Sequence, residues 1–195
     1  MKSVIILILS LVFTFMIEKK TNLKPTINFS DKSEYIPIIT SNIYADLLIV
    51  FLTFTTILYN SKTLTSWYKK YRLSAMIADI LIGILYILLA RYIVHKYKLK
   101  VNLFTFTLLA ILVQTILDYA FYLFFTSVPK GHNDMLDFFK DYAKEVKHNA
   151  LLGDSILIVV GVVLSAYLNT KSFDFNIVSL LIAIYLVPYI IYYKK

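Results

Sequence analysis

The amino-acid sequence predicts an all-α, polytopic transmembrane helical bundle of five or six spans, with one amphipathic interfacial helix. Composition is the first reason: 59% of the 195 residues are apolar and 16% are charged, against about 25% charged in soluble domains. Block length is the second, because the apolar residues fall in runs close to the roughly 20 residues that a helix needs to cross a bilayer. Backbone groups that face lipid have no water to bond, so each run is expected to be helical.

The apolar blocks are six in number. They cover residues 4–17, 43–59, 75–94, 103–128, 151–168 and 177–193. Lys2 and the first block resemble the charged and apolar regions of a signal peptide, but residues 13–18 offer no pair of small residues for cleavage. Residues 1–17 are therefore predicted to be an uncleaved signal anchor, with a removed signal peptide as the alternative. Residues 18–40 then form an outer loop, and residues 41–195 form the bundle.

Basic residues decide the predicted orientation, because cytoplasmic loops retain positive charge. An N-terminus on the cytoplasmic side places eleven Lys and Arg residues inside and nine, including Arg91, outside. The sequon Asn28-Phe29-Ser30 would then lie in the outer loop. The net charge of +8 is spread over both sides, which favours anionic lipid headgroups over nucleic acid as partners.

Missing residue types exclude several kinds of site. Without cysteine there is no disulfide and no thiolate metal site. The four glycines, Gly83, Gly131, Gly153 and Gly161, cannot form a phosphate-binding loop or a dinucleotide fingerprint. The three histidines lie far apart without metal-ligand spacing. No cofactor is predicted.

Two segments are predicted to lie at the membrane surface. Aromatic and basic residues interleave before the third block, as in a helix at the headgroup boundary. This predicted anchor comprises Trp67, Tyr68, Lys69, Lys70 and Arg72. Residues 133–147 form the amphipathic helix, with an apolar face of Met135, Phe138, Phe139, Tyr142 and Val146. A lid packed on the bundle or on lipid is preferred to a partner-docking helix.

One aspartate lies in each of blocks two to five, where a charge costs about 2.5 to 3.5 kcal/mol on insertion. Asp79, Asp118 and Asp154 are expected to converge toward the inner leaflet, and Asp46 is expected near the opposite face. No basic residue inside the blocks is expected to neutralise the three. The candidate cluster is a proton or cation site of Asp79, Asp118, Asp154, Gln114, Tyr122 and Asn60.

A structural interpretation of these acids is preferred over a functional one. Asp46, Asp79 and Asp154 follow helix starts closely enough to complement the positive end of a helix dipole. Asp118 alone lies too far from a helix start to be explained by the helix dipole. Whether the cluster holds a metal stays open.

Several stretches between Trp67 and Tyr189 are similar to segments of a known group of proteins. They are residues 67–79, 118–131, 135–143 and 153–155, including Asp118-Tyr119-Ala120 and Pro129-Lys130-Gly131. In these stretches the chain resembles a group of multi-pass membrane proteins encoded by large DNA viruses of algae and protists. The resemblance implies a viral protein in the lipid layer beneath a capsid or in a host membrane, and it implies no catalytic residue.

The preferred function is a structural or interaction component of a viral or host membrane, partnered by lipid, by further copies of itself or by another viral membrane protein. The alternative is a small transporter or channel that moves protons or cations through the aspartate cluster. An enzyme acting on lipid headgroups is least favoured, because no helix carries the paired aspartates that such a metal site would need.

Overall fold

The computed structural model describes residues 2–55, 61–146 and 149–193, and within these ranges it contains helices and no strand. The all-α prediction is therefore confirmed. The α-helices are α1 (Lys2–Thr21), α2 (Tyr35–Phe54), α3 (Lys62–Tyr71), α4 (Leu73–Tyr97), α5 (Leu103–Ser127), α6 (Asp134–Val146), α7 (Asn149–Leu168) and α8 (Phe173–Ile191). Five of them, α2, α4, α5, α7 and α8, are long and apolar enough to cross a bilayer.

Helix α2 begins well before the apolar block that predicted it. A short 3₁₀ turn, Lys32–Glu34, leads into Tyr35, so helix replaces the last part of the loop expected over residues 18–40. Pro37 is tolerated because the first turn of a helix has no partner for its N–H groups. Ser41 and Asn42 stay in the helix because their side chains donate to the Ile38 carbonyl, at 2.9 and 2.8 Å.

The bundle is built around α2 and α7. Helix α2 packs against α7, α8 and α4, while α7 also packs against α5 and α1. Fully buried apolar side chains such as Ile87 of α4, Phe106 of α5 and Ile158 of α7 fill the core. Helix α1 belongs to this bundle as well, since the Glu18 carboxylate accepts a 2.7 Å hydrogen bond from the Phe104 N–H at the start of α5.

Two glycines allow close packing at the centre. A Cβ atom on Gly83 of α4 would lie 2.6 Å from Oδ1 of Asn42, and one on Gly161 of α7 would lie 3.4 Å from the same oxygen. The Asn42 side chain, which is fully buried, therefore fills the space that both glycines leave. The Asn42 side chain between Gly83 and Gly161 is called the wedge, and it joins α2, α4 and α7.

Helices α3 and α6 lie antiparallel across one end of the bundle and are called the lid. At one end of the pair, the Tyr71 hydroxyl donates to the Asp134 carbonyl at 3.1 Å. At the other, the Glu145 carboxylate accepts from the Ser61 hydroxyl at 3.0 Å and from the Thr63 N–H at 3.2 Å. The bundle end that the lid covers, where α2 and α5 finish and α4 and α7 begin, is called the lid end. The opposite end is the far end.

Aromatic rings fill the space beneath the lid. Trp67 of α3 stacks on Phe138 of α6 at 5.1 Å, and it also contacts Phe139 at 4.9 Å. Phe139 in turn packs on Phe121 and Phe125 of α5, at 5.2 and 6.0 Å. Phe138 and Phe139, two residues of the predicted apolar face, thus pack against protein.

Candidate functional site

The aspartates of α2, α4, α5 and α7 all lie toward the lid end. Asp46 is eight residues from the end of α2, Asp79 six from the start of α4, Asp118 nine from the end of α5 and Asp154 five from the start of α7. At 1.5 Å per residue, these positions are roughly 8 to 14 Å from the helix ends that the lid covers. The expectation that Asp46 lies near the opposite face is wrong, because α2 starts eight residues earlier than its apolar block.

Asp118 is the centre of a hydrogen-bonded group. The Tyr86 hydroxyl of α4 donates to its Oδ1, and the Gln114 side-chain amide donates to its Oδ2. The Ser155 hydroxyl of α7 reaches Gln114 Oε1 at 2.9 Å, with the Leu151 carbonyl at 2.8 Å as a second acceptor. This group ties three spans together through side chains alone.

Asp79 meets the lid directly. The indole N–H of Trp67 donates to Asp79 Oδ2 at 3.2 Å, and the Tyr68 hydroxyl interacts with both Asp79 and Asp46. Burial, together with these two carboxylates, raises the pKa of Tyr68 well above its usual value. The Tyr68 hydroxyl therefore keeps its proton and acts as a donor.

Asp46 is the most isolated of the four acids. Its residue is fully buried, and within the described ranges neither carboxylate oxygen has a well-formed hydrogen bond. Asp79 and Asp154 interact with it electrostatically and have the same charge. The Tyr68 hydroxyl is the one donor near it in the described residues, and a buried carboxylate with so little compensation is costly, so Asp46 calls for a proton or a bound cation.

The cluster as a whole is short of positive charge. Across residues 2–55, 61–146 and 149–193, no Lys, Arg or His forms an ion pair with any of the four aspartates. In the same part of the chain, no three His, Cys, Asp or Glu side chains are placed to hold a metal ion together. Like charges in a poorly solvated place cannot all stay ionised, so the cluster is suited to hold protons.

Asp154 lies at the edge of the cluster. Its residue is exposed at the surface of α7, while its carboxyl group is closely surrounded by protein atoms of the bundle. Its carboxylate also interacts with that of Asp118. Asp154 and Asp118 therefore form a pair of neighbouring carboxyl groups at the edge of the cluster.

The structure brings together most of the predicted cluster. Asp79, Asp118, Asp154 and Gln114 are neighbours, as expected. Tyr122 is not among them: it is 45% exposed and its ring packs edge-on against Phe125 at 5.4 Å. Asn60 lies outside the described residues.

Neighbouring helices contribute groups to the cluster that spacing along one helix did not predict. Tyr86, not Tyr122, supplies the hydroxyl to Asp118, and Ser155 extends the group through Gln114. Spacing along one helix points to Tyr122, four residues after Asp118, whereas Tyr86 approaches from α4. Tyr86 could have been assigned from the sequence, because it shares one face of α4 with Asp79 and Gly83.

The predicted anchor divides into two parts. Lys69, Lys70 and Arg72 are exposed, whereas Trp67 and Tyr68 are 3% and 2% exposed and lie beneath the lid. The two aromatic side chains therefore contact protein instead of headgroups. They point inward because α6 offers aromatic rings and the spans offer carboxylates that accept from the indole and the phenol.

A buried ion pair closes the far end. Arg91 of α4 is fully buried, and its Nη2 lies 2.8 Å from Glu34 Oε2 and donates to the Asn28 carbonyl at 2.6 Å. The guanidinium also lies over the Tyr35 ring, 5.2 Å from its centroid. Arg91 is thus an internal residue of α4, and counting it as an outer loop charge was wrong. The expectation that the spans hold no basic residue fails with it, although Arg91 pairs with Glu34 and not with the aspartates.

Five membrane-length helices, an internal acid cluster and a lid define the class of this molecule: an all-α, multi-pass membrane protein. Comparison of the chain with protein-family models, with curated proteins and with solved structures gives no match.

Proposed function

We propose that the protein moves protons across the membrane through the aspartate cluster. One observation carries the proposal: four spans each contribute a carboxylate to one region, and the most buried of them, Asp46, has only the Tyr68 hydroxyl as a nearby donor among the described residues. Ionisable groups inside a membrane bundle are costly to insert and commonly mark proton relays.

The lid end is the entry side of this relay. Asp154 takes a proton from water and passes it to Asp118, whose carboxylate is bonded to the Tyr86 hydroxyl. Tyr86 lies 13 residues from the start of α4, about 20 Å along the helix, and so extends the group past the middle of the span. At the far end, the Glu34 carboxylate and the Arg91 guanidinium form a buried pair whose charges neutralise each other.

The aspartates also fit a purely structural role, in which the protein is a component of a viral or host membrane. Exposed Lys62, Lys69, Lys70 and Arg72 near the lid support contact with anionic headgroups in that role. A viral origin rests on the sequence resemblance alone, and so does a viral membrane partner. An N-terminus on the cytoplasmic side rests on the Lys and Arg count.

Proton flux in proteoliposomes distinguishes the two functions. Vesicles containing a trapped pH-sensitive dye are given a proton gradient, with valinomycin and potassium to balance charge. We expect wild-type protein to acidify the lumen, and Asp118→Asn to reduce the rate to that of protein-free vesicles, because the amide cannot exchange a proton.

Asp174→Asn is the matched control, since Asp174 is exposed in the first turn of α8, away from the cluster. It should conduct like wild type. If folded wild-type protein gives no flux under a proton gradient, the relay is excluded and the structural role remains. Flux under sodium or potassium gradients that Asp118→Asn abolishes would replace protons with cations as the transported species.

A further inference from the structure

An apolar groove runs along the outside of the bundle between α4 and α8, toward the lid end. Its volume is about 550 Å³, and it is open on one side. Its lining is aliphatic over most of its length. The residues that line it include Ile77, Ile80 and Leu81 of α4 and Ile184, Val187 and Pro188 of α8. A groove of this shape on a membrane-spanning surface is suited to an acyl chain.

The mouth of the groove carries a positive charge. Tyr192 lines the groove at its lid end, and the Arg72 guanidinium lies over the Tyr192 ring, 4.8 Å from its centroid. Arg72 is exposed, and it directly precedes Leu73, which also lines the groove. An acyl chain in the groove would therefore place its headgroup beside this guanidinium.

The backbone at Arg72 gives a second, independent argument. Its φ of 47° and ψ of −118° are a combination that residues with a Cβ rarely adopt, and glycine would fit the joint between α3 and α4 better. Retained strain of this kind points toward a role for the side chain that occupies the position. Here that side chain is held at the groove mouth.

We propose that this groove binds one anionic phospholipid from the leaflet at the lid end, with an acyl chain between α4 and α8 and the phosphate on Arg72. The site rests on the groove and on Arg72, and it does not depend on proton movement. Arginine is suited to the role because its planar guanidinium can donate two parallel hydrogen bonds to a phosphate.

The single tryptophan of the chain, Trp67, reports occupancy. It shares a buried cluster with Ile191, which lines the groove, so brominated acyl chains in the groove will quench its fluorescence. The protein is reconstituted in phosphatidylcholine vesicles that contain a small fraction of either brominated phosphatidylglycerol or brominated phosphatidylcholine. We expect phosphatidylglycerol to occupy the site about fivefold more readily, the preference that one basic residue gives at a membrane surface.

Arg72→Gly should abolish this preference without unfolding the protein, because glycine relieves the backbone strain. Lys98→Gly is the matched control: Lys98 is an exposed basic residue with a φ of 50° at the other end of α4. It should keep the fivefold preference. Circular dichroism and the thermal midpoint establish that both variants are folded.

Ile184→Phe fills the groove and should reduce quenching by both brominated lipids, whereas Leu181→Phe, on the same helix outside the groove lining, should not. Equal quenching by the two lipids in wild-type protein would overturn the proposal. So would an equal loss of preference in Arg72→Gly and Lys98→Gly, which would indicate general surface charge and not a site.

Discussion

Asn42 shows how a single polar side chain can organise an apolar bundle. Its amide nitrogen bonds to the Ile38 carbonyl in its own helix, which leaves Oδ1 as the atom that faces Gly83 and Gly161. Small residues at such contacts let membrane helices approach closely, and packing then supplies the attraction that lipid cannot. The position of Asn42 therefore fixes the spacing of the three helices that carry Asp46, Asp79 and Asp154.

Gly83→Ala tests this contact. The new methyl group would lie 2.6 Å from Asn42 Oδ1, so the side chain or the helix must shift, and overpacking of this kind costs about 1 to 3 kcal/mol. We expect a lower thermal midpoint in detergent, followed by circular dichroism. Gly161→Ala, with 3.4 Å available, should lower the midpoint less. The opposite order would contradict the wedge.

Sequence alone predicted the residue types of the cluster better than their partners. Asp79, Asp118 and Asp154 were recognisable because a charge in an apolar block is rare, and Gln114 because it lies one turn from Asp118. Tyr86 and Ser155 were not assigned, since hydrogen bonds between helices depend on how the helices rotate about their axes. Arg91 and Glu34 were missed because each lies near the end of a span, where a charge can equally belong to a loop.

The lid illustrates how two short helices gain stability from one another. Neither α3 nor α6 is long enough to be stable alone in water, and each supplies groups that the other lacks. The Glu145 carboxylate bonds to the Ser61 hydroxyl and to the free Thr63 N–H, so a charge of α6 complements the positive end of α3. Aromatic contacts between Trp67 and Phe138 hold the middle of the pair.

Glu145→Ala should therefore loosen α3 selectively. Losing these hydrogen bonds removes about 1 kcal/mol from the helix start, which corresponds to roughly fivefold to tenfold faster amide exchange over residues 62–71. Hydrogen exchange with mass spectrometry measures this, and α5 should be unchanged. Lys144→Ala, which loses only an exposed 3.8 Å ion pair, is the control and should leave α3 as it is. Uniform acceleration in all helices would show that Glu145 acts on global stability.

Elements were predictable where composition is extreme. Blocks 75–94, 103–128, 151–168 and 177–193 correspond to α4, α5, α7 and α8, because long apolar runs have few alternatives in a bilayer. The start of α2 was not predictable from apolar content, since residues 35–42 contain proline and four polar or hydroxyl-bearing side chains. Burial of those side chains in the bundle outweighs their weak hydropathy signal.

Across the whole molecule, charge is arranged along one axis. Among the described residues, the four aspartates of the spans lie toward the lid end without an ion-pair partner, and a neutralised pair lies at the far end. The Glu34–Arg91 pair joins α2 to α4, and it also holds the preceding loop, because Arg91 and Glu34 both bond to the Asn28 backbone. The far end is therefore held by a few charged contacts in a buried setting.

Glu34→Gln tests that arrangement. It leaves the Arg91 guanidinium buried without a counter-charge, and removing one partner of a buried pair costs about 3 to 5 kcal/mol. We expect a clear drop in the midpoint of unfolding by sodium dodecyl sulfate. Asp174→Asn, at an exposed helix start, should cost less than about 1 kcal/mol. A Glu34→Gln midpoint equal to that of wild type would mean that water reaches the guanidinium.

The order in which the lid forms follows from the distance between its parts along the chain. A ribosome making this protein releases Trp67 long before Phe138, and the spans that carry Asp79 and Asp118 are inserted between them. Until α6 has been made, the Trp67 indole and the carboxylates of Asp79 and Asp118 therefore lack the cover that α6 provides. Closure of the lid is therefore a late step in the synthesis of the protein. A chain that ends before Val146 would leave the aspartates of the spans without a complete lid.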